Sequence, residues 1–331
     1  MADQMQTDIR KTLLRIFSDA NGDFVSGERI SRELGCSRTA VWKHMEDLRK
    51  EGFKLEGIRK LGYRIIDKPD KITANEITLG LQTDILGRHI HFEEEVDSTQ
   101  KIAQRLALEG VPEGTIVVAE AQTAGRGRLN RHWHSPRKTG VWMSLILRPQ
   151  IAPQKAPQLT LLTAVAVAQA IEEVIDVMPQ IKWPNDILIK EKKAIGILTE
   201  MQAEADRIGS VIIGIGVNCN QEKGEFPEDI TNIATSLAIE ANKRIDRSLL
   251  IQSILHNFEK LYITYLEHGF TTIKILWESY AISLGKKIKV QSLAQVTEGT
   301  ALGITDDGVL LIETADGQIH KVYSGDIHFQ D

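Results

Sequence analysis

The hydrophobic pattern of residues 1–66 predicts a helix-turn-helix followed by a β-hairpin. Ser26 and Ser37 stand where each can cap a following helix, and Gly35 between them suits a left-handed helix end. The segment "FKLEGIRKLGYRI" at 53–65 then alternates apolar and polar residues, as a small wing does. Apolar positions at helical spacing supply the expected inward faces: Ile9, Leu13, Leu14 and Ile16 in a first helix, and Ile30, Leu34, Val41, Met45 and Leu48 in the next two.

The pattern after residue 74 predicts a central sheet covered by helices. Short β-rich runs occur at Thr115–Ala119, Val141–Leu147 and Val211–Val217, and a long apolar helix is expected at Leu159–Ile175. The spacing favours antiparallel neighbours, and a further helical stretch covers about 247–283. The fold class is therefore α+β with several domains.

The pattern changes again near Gly285. Strand-like runs at 287–291, 300–304, 309–313 and 319–323 are separated by turns containing "DDG" and "ADG", which predicts a small β-barrel. The expected organisation is a winged helix-turn-helix over 1–66, a linker over 67–74, a central domain over 75–283 and the small barrel over 284–331.

Composition narrows the class of protein. The 331 residues are 42% hydrophobic and 26% charged, which is typical of a globular protein of two or three domains. No apolar run approaches the roughly 20 residues of a membrane span, and the start lacks the apolar stretch of a signal peptide. Two cysteines are too few for a disulfide scaffold, so we expect a cytoplasmic protein with no membrane association.

Charge is unevenly distributed and points to nucleic acid at one end. Residues 1–66 carry 13 Lys and Arg against 10 Asp and Glu, whereas the whole chain has a net charge of −5. The candidate DNA contacts lie on the second helix of the motif and in the wing: Ser37, Arg38, Thr39, Trp42, Lys43, Arg59 and Lys60. The alternative is a helical pair used only for protein contacts.

Three stretches of the central region could carry chemistry. "AGRGRLNRHW" at 124–133 lacks the Lys-Ser/Thr of a P-loop, but its glycines and arginines can surround an anion. "KWPNDILIKEKKAIGIL" at 182–198 holds Lys193 in an apolar strand, where a substrate anion or Asp186 must neutralise it. Gly196 there lets another group approach closely, and "GIGVNCN" at 214–220 offers amides suited to a purine or ribose. A solvated surface loop and a plain buried strand are the alternatives for the first and third.

Together with "EVDSTQ" at 95–100 and "AEAQTAGRGR" at 119–128, these motifs occur in the order seen in one family. The chain resembles bacterial biotin-protein ligases of the bifunctional kind that also repress biotin-synthesis genes, and the resemblance covers essentially the whole chain. It implies a central sheet like that of class II aminoacyl-tRNA synthetases and a C-terminal SH3-like barrel. One departure is Leu129-Asn130-Arg131, where many relatives have a further glycine.

The resemblance implies a role for each matched residue. Biotin would be bound by Ser98, Thr99, Gln122, Arg126, Arg128 and Lys193. ATP and the adenylate would be bound by Arg126, Arg128, Trp133, Lys182, Lys193 and Asn218. The catalytic set would be Lys193, Asp186, Arg128 and Lys182, with Asp186 serving the attack of the acceptor lysine.

The implied reaction uses biotin, ATP and Mg²⁺ and proceeds through biotinyl-5′-AMP. Biotin then passes to a lysine of a biotin carboxyl carrier domain, as in acetyl-CoA carboxylase or pyruvate carboxylase. The adenylate would also favour a homodimer that binds operator DNA. Two alternatives stay open: a DNA-binding ligand sensor without transfer activity, and a lipoate-protein ligase, which shares the fold.

Overall fold

The computed structural model describes residues 2–20, 22–50, 52–67, 71–204, 207–292 and 295–329, and these residues form two compact units, 1–80 and 81–331. The first unit contains, in chain order, α1 (Ala2–Asp19), α2 (Gly27–Leu34), α3 (Arg38–Lys50), β1 (Lys54–Ile58), β2 (Gly62–Asp67) and α4 (Ala74–Leu79). The predicted helix-turn-helix and antiparallel wing are therefore confirmed.

Local hydrogen bonds explain why the motif forms where the sequence predicts it. The Ser26 hydroxyl accepts a hydrogen bond from the backbone N–H of Arg29 at 3.1 Å, and Ser37 accepts one from Ala40 at 3.2 Å. Gly35 adopts the left-handed conformation, with φ of 63°, and ends α2. These caps satisfy backbone donors and carbonyls that each helix end leaves unpaired.

The wing is joined to the helical part through Val25. Val25 and Tyr63 exchange backbone hydrogen bonds of 2.8 and 2.9 Å. Gly62 makes this close pairing possible, because a Cβ there would lie 2.0 Å from the Val25 carbonyl oxygen and its φ is 110°. The core of the unit is formed by most of the predicted apolar positions together with Phe17, Val25 and Phe53. Leu34 is half-buried against this core, and Ile9 is half-buried outside it.

The segment that follows the wing contains a short helix. Thr73 caps α4, and Glu76 of that helix pairs with Arg10 of α1 at 3.1 Å. Part of the predicted linker, residues 68–70, lies outside the described residues. The first compact unit ends at residue 80 and therefore includes α4. The domain boundaries drawn from the sequence stay predictions.

The second unit is built on a seven-stranded sheet with the order β3-β4-β5-β9-β8-β7-β6. Only β3 and β4 are parallel, so the expected mixed sheet with mainly antiparallel neighbours is confirmed. Its elements are β3 (Ile90–Glu93), α5 (Thr99–Leu108), β4 (Ile116–Ala119), β5 (Gly140–Leu147), α6 (Ala156–Val174), β6 (Gln180–Lys182), β7 (Asp186–Ile189), β8 (Lys192–Glu204), β9 (Arg207–Asn218), α7 (Leu237–Ala241), α8 (Arg247–His268) and α9 (Thr271–Tyr280).

The long apolar helix is confirmed as α6, which is buried along most of its length and packs against α8 and α9. The helical stretch expected over about 247–283 is two helices rather than one. Gly269 separates them with φ of 76° and ψ of −163°, a backbone conformation that only glycine adopts readily.

The C-terminal part is an antiparallel sheet of five strands, and the predicted small β-domain is confirmed in this form. The strands are β10 (Lys287–Gln291), β11 (Val296–Ile304), β12 (Leu310–Glu313), β13 (Ile319–Val322) and β14 (Asp326–Phe329), in the order β13-β12-β11-β10-β14. The sequence did not predict β14, which pairs with β10 and contributes Asp326 and Phe329 to the site described below.

A buried ion pair holds the start of α8 against the end of β4. Arg247 is fully buried and its guanidinium donates two hydrogen bonds to Glu120, at 3.0 and 3.2 Å, and one to the Gly140 carbonyl at 3.1 Å. Glu120 lies two residues before Gln122, so this pair fixes the chain that leads into the predicted ligand-binding loop. No helix of the described residues is long and apolar enough to cross a membrane.

We expect Arg247→Met to lower the free energy of unfolding by about 3–5 kcal/mol, because it leaves a buried carboxylate without its bidentate partner. Urea denaturation measures this change. Arg105 is the matched control, since its pair with Glu109 is exposed and its removal should change stability by less than about 0.5 kcal/mol. Equal effects of Arg247→Met and Arg105→Ala would contradict the structural role of the buried pair.

Candidate active site and nucleic-acid interface

A cavity of about 980 Å³ in the second unit collects the predicted ligand-binding residues. Such a volume is at the upper end of what small-molecule sites have. All ten predicted residues line it: Ser98, Thr99, Gln122, Arg126, Arg128, Trp133, Lys182, Asp186, Lys193 and Asn218. The chemical roles of these side chains stay predictions, but their assembly in one cavity is a property of the fold.

The floor of the cavity is made of glycines. Gly196 of β8 and Gly216 of β9 face each other in the sheet, and the Trp133 indole lies on them. A Cβ at Gly196 would be 2.9 Å from the ring, and one at Gly216 would be 2.5 Å from its Nε1. The sequence interpretation that Gly196 admits a closely approaching group is confirmed, and the group is Trp133.

A directed chain of hydrogen bonds forms the uncharged end of the cavity. The Gln100 side-chain amide donates to the Ile212 carbonyl at 3.1 Å, so its own oxygen faces Ser144 and accepts from that hydroxyl at 3.0 Å. Since the Ser144 proton is used there, the Thr99 hydroxyl is the donor to Ser144 at 2.9 Å, and it shares its one proton with Gln122 Oε1 at 3.2 Å. The remaining lone pairs of Thr99 can accept a hydrogen bond from a ligand N–H.

Gln122 is held by its neighbours in one orientation. Its oxygen accepts from the backbone N–H of Thr99 at 2.9 Å, and its amide donates to the Ser135 hydroxyl at 2.9 Å. Ser98 precedes α5 at its N-cap position, is buried, and makes no capping bond with its side chain. This end of the cavity therefore presents hydroxyl and amide groups rather than charges.

Lys193 reaches the cavity because of a β-bulge. The register between β7 and β8 shifts so that Leu188 faces Lys193 rather than Ala194, which turns the lysine to the face that carries Asp186. Its Nζ lies 2.7 Å from Asp186 Oδ1 and 5.2 Å from the centre of the Trp133 ring. The expectation that Asp186 can neutralise the lysine is confirmed.

The two arginines of the GRGR run have protein partners. Arg126 donates to Glu200 at 3.1 Å. Arg128 donates to the side-chain oxygen of Asn185 at 2.9 Å and to the carbonyl of Gly325 at 3.3 Å. Asn185 in turn donates to the Ile197 carbonyl at 2.9 Å, which fixes the amide so that its oxygen faces the guanidinium.

Lys182 and Asn218 complete the predicted set. Burial lowers the pKa of the Lys182 ammonium, and Lys193 adds to the effect, while Asp186 and Asp326 oppose it. The Asn218 oxygen accepts from the Gln221 amide at 3.2 Å, which leaves the Asn218 amide as a donor. A buried amide donor of this kind suits the ring nitrogen of a purine.

The arginine run bends sharply where it departs from the family pattern. Leu129 and Asn130 both adopt left-handed backbone, with φ of 54° and 57°, within a short 3₁₀ turn at Arg128–Asn130. The turn brings Arg131 into an ion pair with Asp326 of β14, and Arg128 Nη1 lies 3.7 Å from the same carboxylate.

Several residues of the site were not identified from the sequence. Asn185 stands inside the quoted KWPND motif and Gln100 inside EVDSTQ, so both motifs contained the signal. Asp326 and Phe329 line the cavity from β14, Lys286 lines it from the residue before β10, and no local pattern marks these three.

The helix-turn-helix presents its predicted DNA contacts to solvent. Arg38, Thr39, Trp42 and Lys43 are exposed on α3, opposite the buried Val41, Met45 and Leu48. Ser37 at the helix start and Arg59 and Lys60 at the wing turn are exposed as well. This is the surface that a helix in the major groove and a wing on the backbone would use.

The described residues contain no group of three or more His, Cys, Asp or Glu side chains placed to hold a metal ion. Mg²⁺ usually keeps several waters and binds through one or two carboxylates together with substrate phosphates. The described residues of the cavity offer no cage built from the protein alone.

Three family matches divide the chain. The Biotin/lipoate A/B protein ligase family matches residues 92–218, an HTH domain matches residues 9–64, and the Biotin protein ligase C terminal domain matches residues 283–329.

Relatives and solved structures extend these matches. The chain is 56% identical to the bifunctional ligase/repressor BirA of Bacillus subtilis (strain 168), over 98% of this chain and 99% of that protein. It is 29% identical to the protein of the same name in Escherichia coli (strain K12), over 93% of this chain and 94% of the relative. The biotin protein ligase of Aquifex aeolicus in complex with biotin and ATP superimposes with a TM-score of 0.64 at 33% identity, covering 73% of this chain and 99% of that one.

We expect Gly216→Ala to displace the Trp133 ring from the floor and to lower the stability by about 1–3 kcal/mol through overpacking. Urea denaturation measures the change in stability. Fluorescence emission reports the surroundings of Trp133, whose contribution is isolated by subtracting the spectrum of the same variant that also carries Trp133→Phe. Gly224→Ala is the matched control, because a Cβ there would meet no atom within 4 Å. An unchanged Trp133 spectrum in Gly216→Ala would contradict the close contact between the Trp133 ring and Gly216.

Proposed function

The chain belongs to the family of bifunctional biotin ligase/repressors, and we propose that it activates biotin with ATP and transfers it to a carrier-protein lysine. The observation that carries the proposal is a single cavity that combines an uncharged hydrogen-bonding end with a cluster of cations. Biotin has a neutral ureido ring at one end and a carboxylate at the other. The cavity matches both ends and leaves further cations for nucleotide phosphates.

The first step joins two negatively charged reactants. An oxygen of the biotin carboxylate attacks the α-phosphorus of ATP, the bond to the β-phosphate breaks, and pyrophosphate leaves. Arg126, Arg128 and Lys193 would reduce the repulsion between the reactants and hold them in line, and Lys182 would stabilise charge on the leaving group. Mg²⁺, when bound to the phosphates, supplies further positive charge.

The second step forms an amide. The amine of the acceptor lysine attacks the carbonyl carbon of biotinyl-5′-AMP, AMP leaves, and the nitrogen loses a proton. Asp186 is the candidate to orient or accept that proton. Its ion pair with Lys193 keeps the carboxylate at the place where the biotin carboxyl group would lie.

Trp133 and Asn218 would bind the adenine end. The Trp133 ring lies flat on the glycine floor with a buried Nε1–H that has no partner among the described residues, and Asn218 offers an amide donor. An aromatic face and an amide are the usual means of recognising a purine. The carrier domain, as in acetyl-CoA carboxylase or pyruvate carboxylase, remains the proposed acceptor.

The winged helix supports a second activity, repression of biotin-synthesis genes with biotinyl-5′-AMP as the corepressor. The exposed basic residues of α3 and the wing support DNA binding. A homodimer favoured by the adenylate would present two winged helices to a two-fold symmetric operator. We expect both activities to take place in the cytoplasm.

The two alternatives have less support. A sensor without transfer activity would not need the contact between Asp186 and Lys193. The relatives named above are described as bifunctional ligase/repressors and not as lipoate ligases. Competition between biotin and lipoate for adenylation decides the second alternative directly.

We expect Lys193→Ala to reduce biotin-dependent exchange of pyrophosphate into ATP by roughly a hundredfold or more, because it removes a cation from the reacting centre. A streptavidin blot of a carrier domain should show the same loss. Lys192→Ala is the control, since the neighbouring side chain is exposed and does not line the cavity. Absence of both activities in folded wild-type protein would disprove the ligase. A large drop in the melting temperature of Lys193→Ala would make this lysine structural.

We expect Lys43→Ala to weaken binding to the DNA upstream of biotin-synthesis genes. The slope of log affinity against log salt concentration should become shallower by about one, because one phosphate contact is lost. Fluorescence anisotropy over a salt series, with and without biotinyl-5′-AMP, measures both quantities. Lys50→Ala is the control, because Lys50 lies at the far end of α3 and pairs with Asp47. If both variants bind as the wild type does, α3 is not the DNA-contacting helix. If the adenylate leaves wild-type binding unchanged, it is not a corepressor.

A further inference from the structure

The end of β9 lies beside the Trp133 ring. Gly216, where a Cβ would lie 2.5 Å from the indole Nε1, and Asn218 are two residues apart, so they share one face of the strand. This spacing is roughly 7 Å along the strand. Asn218 itself lines the cavity. A purine that packs against the Trp133 ring can therefore bring one edge to the Asn218 side chain.

A second amide lies behind Asn218. Gln221 is buried, does not line the cavity, and donates from its side-chain nitrogen to Asn218 Oδ1 at 3.2 Å. The Gln221 side-chain oxygen has no partner among the described residues. Burying a polar group without full pairing costs free energy. The bond to Asn218 is therefore the contact that explains a glutamine at this buried position.

The backbone on both sides of Gln221 is fixed. The Gln221 carbonyl accepts a hydrogen bond from the buried Ser236 hydroxyl at 2.7 Å. The side-chain amide of Asn220 donates to the Ile245 carbonyl and accepts from the Ile245 N–H, both at 2.9 Å. Asn218 belongs to the β5–β9 ladder. The contact between Asn218 and Gln221 therefore depends on the rotation of their two amide groups.

The hydrogen bond gives the Asn218 amide a fixed polarity. Because Gln221 donates, the Asn218 oxygen accepts, and Asn218 Nδ2 is the donor that remains for a ligand. Turning the Asn218 amide over would bring Nδ2 against the Gln221 nitrogen, and two donors facing each other leave buried N–H groups unpaired. The second lone pair of the Asn218 oxygen can still accept. Asn218 thus offers a donor and an acceptor side by side in a fixed order.

The polarity of this amide matches adenine. The 6-amino group of adenine donates and a ring nitrogen beside it accepts, and an asparagine amide can pair with both. Hypoxanthine carries a carbonyl oxygen in place of the 6-amino group. An Asn218 amide held in the observed orientation would then set oxygen against oxygen.

We propose that Gln221 is a specificity-determining positioning residue, which holds Asn218 in the orientation that selects ATP over nucleotides with a 6-carbonyl group. This inference rests on the proposed function and deepens it, because it assigns the base selectivity of the cavity to a residue outside the cavity lining. Gln221 acts through Asn218 and touches neither biotin nor the phosphates.

The test compares biotin-dependent exchange of pyrophosphate into ATP and into ITP, whose base is hypoxanthine. We expect the wild type to prefer ATP by roughly a hundredfold in kcat/KM, because ITP leaves buried polar groups unpaired. Gln221→Leu frees the Asn218 amide to turn over, so this preference should fall roughly tenfold while the KM for biotin stays unchanged. Gln158→Leu is the matched control and should keep the wild-type preference. Gln158 is also buried, accepts from the Tyr265 hydroxyl at 2.6 Å, and does not line the cavity.

Gln221→Glu gives a second readout that does not depend on the leucine variant. A protonated carboxyl group can donate to the Asn218 oxygen as the glutamine does, whereas a carboxylate can only accept and favours the opposite orientation of the Asn218 amide. The preference of this variant for ATP should therefore fall as the pH rises, relative to the wild type at the same pH. A residue that only stabilised the fold would lower the melting temperature without this pH dependence.

A double-mutant cycle shows whether Gln221 acts through Asn218. In an Asn218→Ala background, Gln221→Leu should not change the preference further, since the amide that it positions is absent. The proposal is overturned if the wild type uses ATP and ITP equally, or if Gln221→Leu keeps the wild-type preference as Gln158→Leu does. It is also overturned if Gln221→Leu lowers the preference equally in both backgrounds. Absence of exchange with ATP in the folded wild type would instead disprove the proposed function.

Discussion

Repulsion between crowded cations is the constraint around which the cavity is built. Of the described residues that line it, seven are Lys or Arg and three are Asp or Glu. Two like charges about 4 Å apart repel each other by roughly 4 kcal/mol near a protein surface. The protein offsets this repulsion with its own carboxylates, since Asp186 pairs with Lys193, Glu200 with Arg126 and Asp326 with Arg131. Each carboxylate keeps a cation in place.

These counter-ions come from distant parts of the chain, and this explains why the site needs the whole second unit. Glu200 lies on β8, and Asp326 lies on β14 of the C-terminal sheet. The sheet must also admit the ligand, so the two strands beneath Trp133 carry glycine at their facing positions, Gly196 and Gly216. The strand β8 thus supplies both charge, through Lys193 and Glu200, and space, through Gly196, and the β4–α8 ion pair fixes one approach to the site.

Local signals account for what the sequence predicted. The caps at Ser26, Ser37 and Gly35 act within three or four residues, so the helix-turn-helix could be placed closely. Lys193 was recognisable because an ammonium in an apolar strand requires a partner nearby. Contacts between residues far apart in the chain left no such trace: Arg131 and Asp326 are separated by 195 positions, and β14 is only four residues long. The two-helix form of 247–283 depended on the backbone of a single glycine.

The departure at Leu129-Asn130 has a specific physical meaning. Left-handed backbone costs about 1–2 kcal/mol for an ordinary residue and little for glycine, while asparagine tolerates it. The resemblance places a glycine in this half of the run, and here Leu129 adopts the conformation instead. The turn closes with hydrogen bonds from Arg131 to Arg128 and from Gly127 to Arg131, and the ion pair with Asp326 adds to them. The strain at Leu129 is therefore balanced by contacts made on both sides of the turn.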